Sequence, residues 1–173
     1  MEFCVVASNY RTQTQQVHVF LENVVVRFVD RGHPCHVIAP QSLARYLFKR
    51  KARRKLVSER VTPDGNSYMV YSPLFLTLPA WKLGKLRLAD FTKHSFIRAV
   101  KRTYRKRKLH ADLVYSHFIQ AGIAGVALAE ELGVPSFIAN GEADTPGSLR
   151  SLSGHFVRRT YPHGGLPRRG QDH

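Results

Sequence analysis

The sequence is poor in cysteine, in long apolar runs and in acidic residues, and each shortage narrows the class of protein. Cys4 and Cys35 are the only cysteines, and each lies in a short apolar run without CxxC or an ordered histidine spacing. This excludes a disulfide framework and predicts buried, reduced thiols in an intracellular protein. The chain has no apolar run near the roughly 18 residues that cross a bilayer, and its start lacks the pattern of a secretory signal. We therefore expect a cytoplasmic protein, soluble or peripheral on the inner face of the cell membrane.

Several nucleotide and metal motifs are also missing. The chain has no G-x-G-x-x-G after its first strand, no Walker-type phosphate loop and no cysteine–histidine metal spacing. The standard dinucleotide fingerprint is thus excluded, and we expect no metal site. We find no internal repeat.

The shortage of acids leaves a strong excess of positive charge. Lys and Arg number 27 against 12 Asp and Glu, for a formal net charge of +15, which favours anionic partners. The basic residues concentrate in KRKARRK at 49–55 and RAVKRTYRKRK at 98–108. Three interpretations stay open: a nucleic-acid surface, an anionic membrane surface beside the apolar segment PLFLTLPAW, and a solvated helix face.

Alternating short strands and helices predict the fold. Apolar runs at 3–7, 34–40, 67–73, 111–117 and 134–140 predict strands, because they are short and rich in β-branched residues. Helical spacing predicts helices at 17–28, 42–60, 88–108 and 119–132, whereas 73–85 is expected to be an irregular loop. Strands that are apolar on both faces and joined by helices predict an α/β fold, a Rossmann-like parallel sheet with helices on both faces.

The composition changes near residue 145 and divides the chain into a domain at 1–145 and a tail at 146–173. The tail is basic and rich in glycine and proline, and its last residues could not bury an apolar face. Two interpretations stay open: a flexible, disordered tail, or a product of a frameshift or early stop.

Candidate site residues follow the predicted strands, because ligands of such sheets bind beyond the carboxyl ends of the strands. His117 closes a strand, where its imidazole is suited to hydrogen-bond a hydroxyl or a developing charge; a packing role is the alternative. Gly122 belongs to QAGIAG, whose small residues let an anion approach the helix start. Glu142 and Asp144 could bind sugar hydroxyls or cap the next helix.

The segments FCVVASNY, QQVHVFLENVVVRFVDRGHPCHVIAP and ADLVYSHFIQAGIAGVALAEELGVPSFIANGEAD together resemble the N-terminal half of family 4, or group 1, glycosyltransferases of the GT-B fold. The resemblance covers residues 2–144. It implies that His117 lies in the catalytic cleft near donor and acceptor. Gln15 and Gln16 stand where relatives have paired glycines that approach the donor diphosphate. Asn140 replaces a common histidine, and Gly141 matches the glycine after it.

The resemblance implies a transferase that moves a sugar from a nucleotide-sugar to a hydroxyl of a glycan or lipid-linked acceptor, in polysaccharide or glycolipid biosynthesis. The nucleotide-sugar would be a substrate, with no cofactor and no essential metal. The family's C-terminal donor domain is absent from the sequence, so we expect a truncated chain that is inactive without that domain or a partner subunit. Two alternatives are a non-enzymatic basic module that binds nucleic acid or an acidic partner, and a small nucleotide-binding enzyme complete in one domain.

Overall fold

A six-stranded, mostly parallel sheet forms the centre of the fold. The computed structural model describes residues 1–10, 19–48, 54–78, 82–83 and 86–139, all of them within one compact unit, Met1–Glu142. The elements run in the order β1 (Phe3–Ala7), α1 (Val19–Asp30), β2 (Cys35–Ile38), β3 (Gln41–Ser42), α2 (Leu43–Phe48), β4 (Val57–Val61), β5 (Ser67–Tyr71), β6 (Leu74–Phe75), β7 (Lys82–Leu83), β8 (Leu86–Arg87), α3 (Leu88–Lys106), β9 (Leu113–His117), α4 (Ile119–Leu132) and β10 (Ser136–Ala139). The sheet order is β10-β9-β1-β2-β5-β4.

The five strands predicted from apolar runs are confirmed and are parallel to one another. Strand β1 is buried along its whole length, as expected for a strand covered on both faces. Its alternate residues enter two separate cores. Phe3, Val5 and Ala7 pack with α1, whereas Cys4 and Val6 pack with α3 and α4. The predicted α/β fold, a Rossmann-like sheet with helices on both faces, is therefore confirmed.

The prediction of one helix over 42–60 is wrong. Helix α2 ends at Phe48, and Val57–Val61 forms the edge strand β4, antiparallel to β5. A tight turn joins the two strands: Gly65 has a φ of 86°, and the Thr62 N–H donates to the carbonyl of Asn66 at 2.7 Å. Charged residues suit an exposed edge strand as well as a helix face. The pairing of this segment with β5 therefore determines that it is a strand.

The prediction of an irregular loop at 73–85 is partly corrected. Two-residue strands lie within this region and at its end: β3 pairs with β6, and β7 pairs with β8. The β3–β6 pair lies beyond the carboxyl ends of β2 and β5. It forms one side of the carboxyl edge of the sheet.

The helix starts and stops follow local chemistry. Helix α1 is followed by Gly32 with a φ of 79°, and α4 ends at Gly133 with a φ of 70°, whose N–H donates to the carbonyl of Ala129. Glycine tolerates this left-handed conformation, so a glycine shortly after the helical pattern is the stop signal at both positions. In the described part of the chain, no helix is long and apolar enough to cross a membrane.

Candidate functional site at the carboxyl edge of the sheet

Three strands end side by side at the point where the sheet reverses its winding. Ala7, His117 and Ala139 share one register row across β1, β9 and β10. Helix α1 leads from β1 to β2 on one face, and α4 leads from β9 to β10 on the other. Adjacent strands whose helices leave to opposite faces open a crevice, which is where ligands of such sheets bind.

His117 closes β9 at this switch point but lies beneath aromatic rings. The residue is 6% exposed. The Phe20 ring of α1 lies 4.4 Å from the imidazole centroid, and the Phe118 ring lies 4.3 Å from it, edge-on. The imidazole therefore lies at the expected strand end and is covered by the rings of Phe20 and Phe118. A catalytic role of His117 remains a prediction.

The residue after His117 has a strained backbone. Phe118 has φ 67° and ψ 160° as the N-terminal capping residue of α4, a region of φ/ψ space that essentially only glycine occupies, at a cost of about 1–3 kcal/mol for other residues. Its N–H donates to the carbonyl of Ala139 at 3.0 Å, and its carbonyl accepts from the N–H of Gly122 at 2.8 Å. This sharp turn fixes the position of His117 at the strand end. Such strain is often concentrated at functional sites.

The small residues of α4 let this helix approach the sheet closely. A Cβ on Gly122 would lie 3.0 Å from a side-chain carbon of Ile138, and a Cβ on Gly125 would lie 1.8 Å from the Ser116 Oγ. Gly122 is thus placed against β10 by packing, and a contact of Gly122 with a substrate remains a prediction. The Ser116 hydroxyl is fully buried and has no hydrogen-bond partner among the described residues.

The other residues named as candidates lie outside the described residues. They are Gln15, Gln16, Asn140, Gly141, Glu142 and Asp144. Their proposed contacts with a sugar donor or acceptor remain predictions.

A second feature of the same edge was missed by sequence analysis. An open cavity of about 330 Å³ lies beyond β1 and β2 and is lined by Ser8, Pro40, Gln41, Ser42, Arg45, Arg54, Phe75 and Thr77. Arg54 belongs to the basic run 49–55, which sequence analysis assigned to a surface. Of the residues of this run that the structure describes, Arg54 has its backbone N–H and carbonyl hydrogen-bonded by the Gln41 side chain. The sequence signal for this contact is a polar residue, Gln41, shortly after strand β2.

Two buried tyrosines, one after β1 and one in β5, are hydrogen-bonded to each other. Tyr10 follows β1, is 2% exposed, and its hydroxyl lies 3.1 Å from that of Tyr68 in β5. Burial raises the pKa of both phenols, so each stays neutral at physiological pH. The pair fixes the chain as it leaves β1.

Over the described ranges, no cluster of three or more His, Cys, Asp or Glu side chains has the arrangement of a metal site.

Solved structures that are similar to this chain include the one described below. No protein-family model matches the sequence, and no curated protein matches it. The crystal structure of MurG from Acinetobacter baumannii is similar to this chain with a TM-score of 0.47 and 17% sequence identity, over 88% of this chain and 38% of that chain. The chain thus spans well under half of the length of that protein. The α/β, Rossmann-like class of this chain follows from its own strand order and from the helices on both faces of its sheet.

Proposed function

We propose that this chain is the acceptor-side half of a GT-B glycosyltransferase that moves a sugar from a nucleotide-sugar to a hydroxyl of a glycan or lipid-linked acceptor. The observation that carries the proposal is the position of His117 at the switch point, in register with Ala7 and next to the strained Phe118. The segments that resemble family 4 enzymes in sequence supply the strands that meet there.

The role proposed for His117 is contact with a hydroxyl at the reacting centre. An imidazole can accept a proton from a hydroxyl or donate one to developing negative charge. Phe20 and Phe118 cover the ring, so the acceptor must displace Phe20, whose side chain is 43% exposed and belongs to another element. The nucleotide-sugar would be held mainly by a donor domain outside this sequence.

Hydrogen–deuterium exchange on the full chain tests the acceptor side of this proposal. Octyl β-D-glucoside serves as a soluble hydroxyl acceptor, and tetraethylene glycol monooctyl ether serves as the control that lacks the sugar. We expect the glucoside to slow exchange at residues 7–10 and 117–122, and His117→Ala to abolish this effect. The control variant His94→Ala, at an exposed position of α3, should keep it. Equal protection by both detergents would contradict the proposal, since it would report the alkyl chain alone.

A second candidate function is supported by α3. Its exposed face carries Arg98 and Arg102, which no acid of the described residues pairs, whereas Lys101 and Arg105 bind Glu131 at 3.1 Å and 2.7 Å. Free guanidinium groups along one helix suit a nucleic-acid backbone or an anionic membrane.

Salt dependence separates the two candidates. If the chain is a basic module for nucleic acid, it binds random oligonucleotides with an affinity that falls steeply as salt rises, and Arg98→Gln with Arg102→Gln weakens the binding. Oligonucleotide binding without any glucoside effect at 117–122 would favour this second function over sugar transfer.

A further inference from the structure

Among the described residues that line the cavity beyond β1 and β2, two are arginines and none is an acid. Arg45 of α2 and Arg54 both line it, together with the hydroxyl groups of Ser8, Ser42 and Thr77. Ser42 and Thr77 are hydrogen-bonded to each other across β3 and the segment after β6. Apart from Gln41, whose Nε2 donates to the carbonyls of Arg54 and Ser72, each of these polar side chains carries an N–H or O–H donor.

Both the backbone and the guanidinium of Arg54 are fixed by hydrogen bonds. Gln41, 2% exposed, accepts from the Arg54 N–H with its Oε1 and donates to the Arg54 carbonyl with its Nε2, both at 3.0 Å. The Arg54 Nη2 donates to the carbonyl of Pro40 at 2.8 Å. The guanidinium is therefore fixed at the end of β2 before any ligand arrives.

One donor of this fixed guanidinium is unused. The Arg54 Nη1 is buried and has no hydrogen-bond partner among the described residues. A buried charged donor without a partner is costly, and a native structure that keeps one often reserves it for an ion or ligand.

The electrostatics of the pair agree with the geometry. Burial, and to a smaller extent the nearby charge of Arg45, lowers the pKa of Arg54 to about 10. Arg54 therefore remains cationic at pH 7 and is repelled by the guanidinium of Arg45. An anion between them would remove the repulsion and satisfy Nη1 in one step.

We propose that this cavity binds the phosphate group of an organic phosphate, with Arg54 Nη1 and Arg45 as charged donors and Ser42 or Thr77 as a hydroxyl donor. Two guanidinium groups suit a phosphate because their planar donors match its oxygens. The volume of about 330 Å³ exceeds that of a phosphate, leaving room for an attached glycerol or sugar against Phe75. The site is independent of the sugar transfer proposed above.

Calorimetry and thermal unfolding of the full chain with glycerol 3-phosphate test this site, with glycerol plus NaCl at equal ionic strength as the reference. Arg45→Gln should weaken binding by about tenfold or more, the loss expected for one charge-assisted hydrogen bond. Without ligand, the same variant should unfold at the same or a higher temperature, because it removes repulsion. Arg54→Gln should abolish binding, and Arg27→Gln at an exposed position of α1 is the matched control for charge.

Three results would overturn the proposal: no binding of glycerol 3-phosphate beyond the salt reference, equal losses in Arg45→Gln and Arg27→Gln, or a lower unfolding temperature of Arg45→Gln in the absence of ligand. Vesicles of phosphatidylcholine with phosphatidic acid then identify the source of the phosphate. If glycerol 3-phosphate releases the wild-type chain from them and the Arg45→Gln chain binds them less, the group belongs to a lipid headgroup. If neither glycerol 3-phosphate nor the Arg45→Gln substitution changes vesicle binding, while glycerol 3-phosphate still binds to the chain, the site takes a soluble phosphate.

Discussion

At the scale of single residues, the chemistry of the two cysteines is set by burial. Burial raises the pKa of Cys4 to about 12, with a smaller contribution from Cys35, and burial with the nearby Glu2 raises that of Cys35 to about 12. The thiolate is the reactive form, and folding strongly disfavours it at both positions.

Neither thiol should react with Ellman's reagent in the native chain near neutral pH, and both should react after unfolding in guanidinium chloride. Because each folded pKa lies above its unfolded value, the associated stability is present below about pH 9 and is lost as the pH rises towards 12. Urea titrations at increasing alkaline pH should show this decline. Rapid labelling of either thiol under native conditions would contradict the burial of its strand.

The cover over His117 is also a property of one residue. Phe20→Ala should expose the imidazole and accelerate its modification by diethyl pyrocarbonate, which peptide mass spectrometry can follow site by site. His94, exposed on α3, provides an internal reference whose rate should not change. If His117 in the unaltered chain is modified as fast as His94, Phe20 does not cover it.

The position of His117 could be predicted from sequence, but its cover could not. The run LVYSH ends a strand by its own pattern, whereas helical spacing alone places Phe20 on the apolar face of α1. In the structure Phe20 is 43% exposed and contacts a residue 97 positions later. Periodicity indicates which face of a helix is apolar. It does not indicate which side chain, distant in sequence, a residue at the border of that face contacts.

At the scale of elements, the contact between α4 and β9 depends on a missing side chain. Gly125→Ala places a Cβ against the Ser116 Oγ, so that backbone or strand must shift. We expect a loss of about 1–3 kcal/mol in the free energy of unfolding, as for other overpacked cores, despite the better helix propensity of alanine.

Ser116→Ala gives this prediction a direct check. Alone, it removes a buried hydroxyl without a partner among the described residues, so its effect should be small or stabilising. Combined with Gly125→Ala it should recover much of the lost stability, as measured by urea unfolding in a double-mutant cycle. Additive effects of the two substitutions would show that the close approach of α4 is not limited by the serine hydroxyl.

Element boundaries were predictable where a local signal existed. Gly32 and Gly133 mark the ends of their helices through positive φ, and both are visible in the sequence. The switch from helix to strand after Phe48 has no such marker, since KLVSER is compatible with a helix face and with an exposed edge strand. Only its pairing with β5, through the turn at Gly65, distinguishes the two.

At the scale of the whole molecule, the net charge of +15 opposes folding through self-repulsion. The unfolding temperature should therefore rise with NaCl at pH 7, since salt screens repulsion between exposed charges. At about pH 10, where lysines begin to lose their protons, the same addition of NaCl should have a smaller effect. An equal rise at both pH values would indicate an effect of salt on apolar burial instead.

Sheet connectivity also fixes the order in which the candidate site can be assembled. The partners in the β4–β5 hairpin are near in sequence, such as Val61 and Ser67, and can pair as soon as they are synthesised. The central pair joins Ala7 to His117, and near its other end the Glu2 N–H donates to Asp112 at 2.7 Å across 110 positions. Contacts this distant form late, because a long loop must close first. During synthesis, β1 must therefore wait for β9 to leave the ribosome, and the edge that carries His117 is among the last parts of the sheet to form.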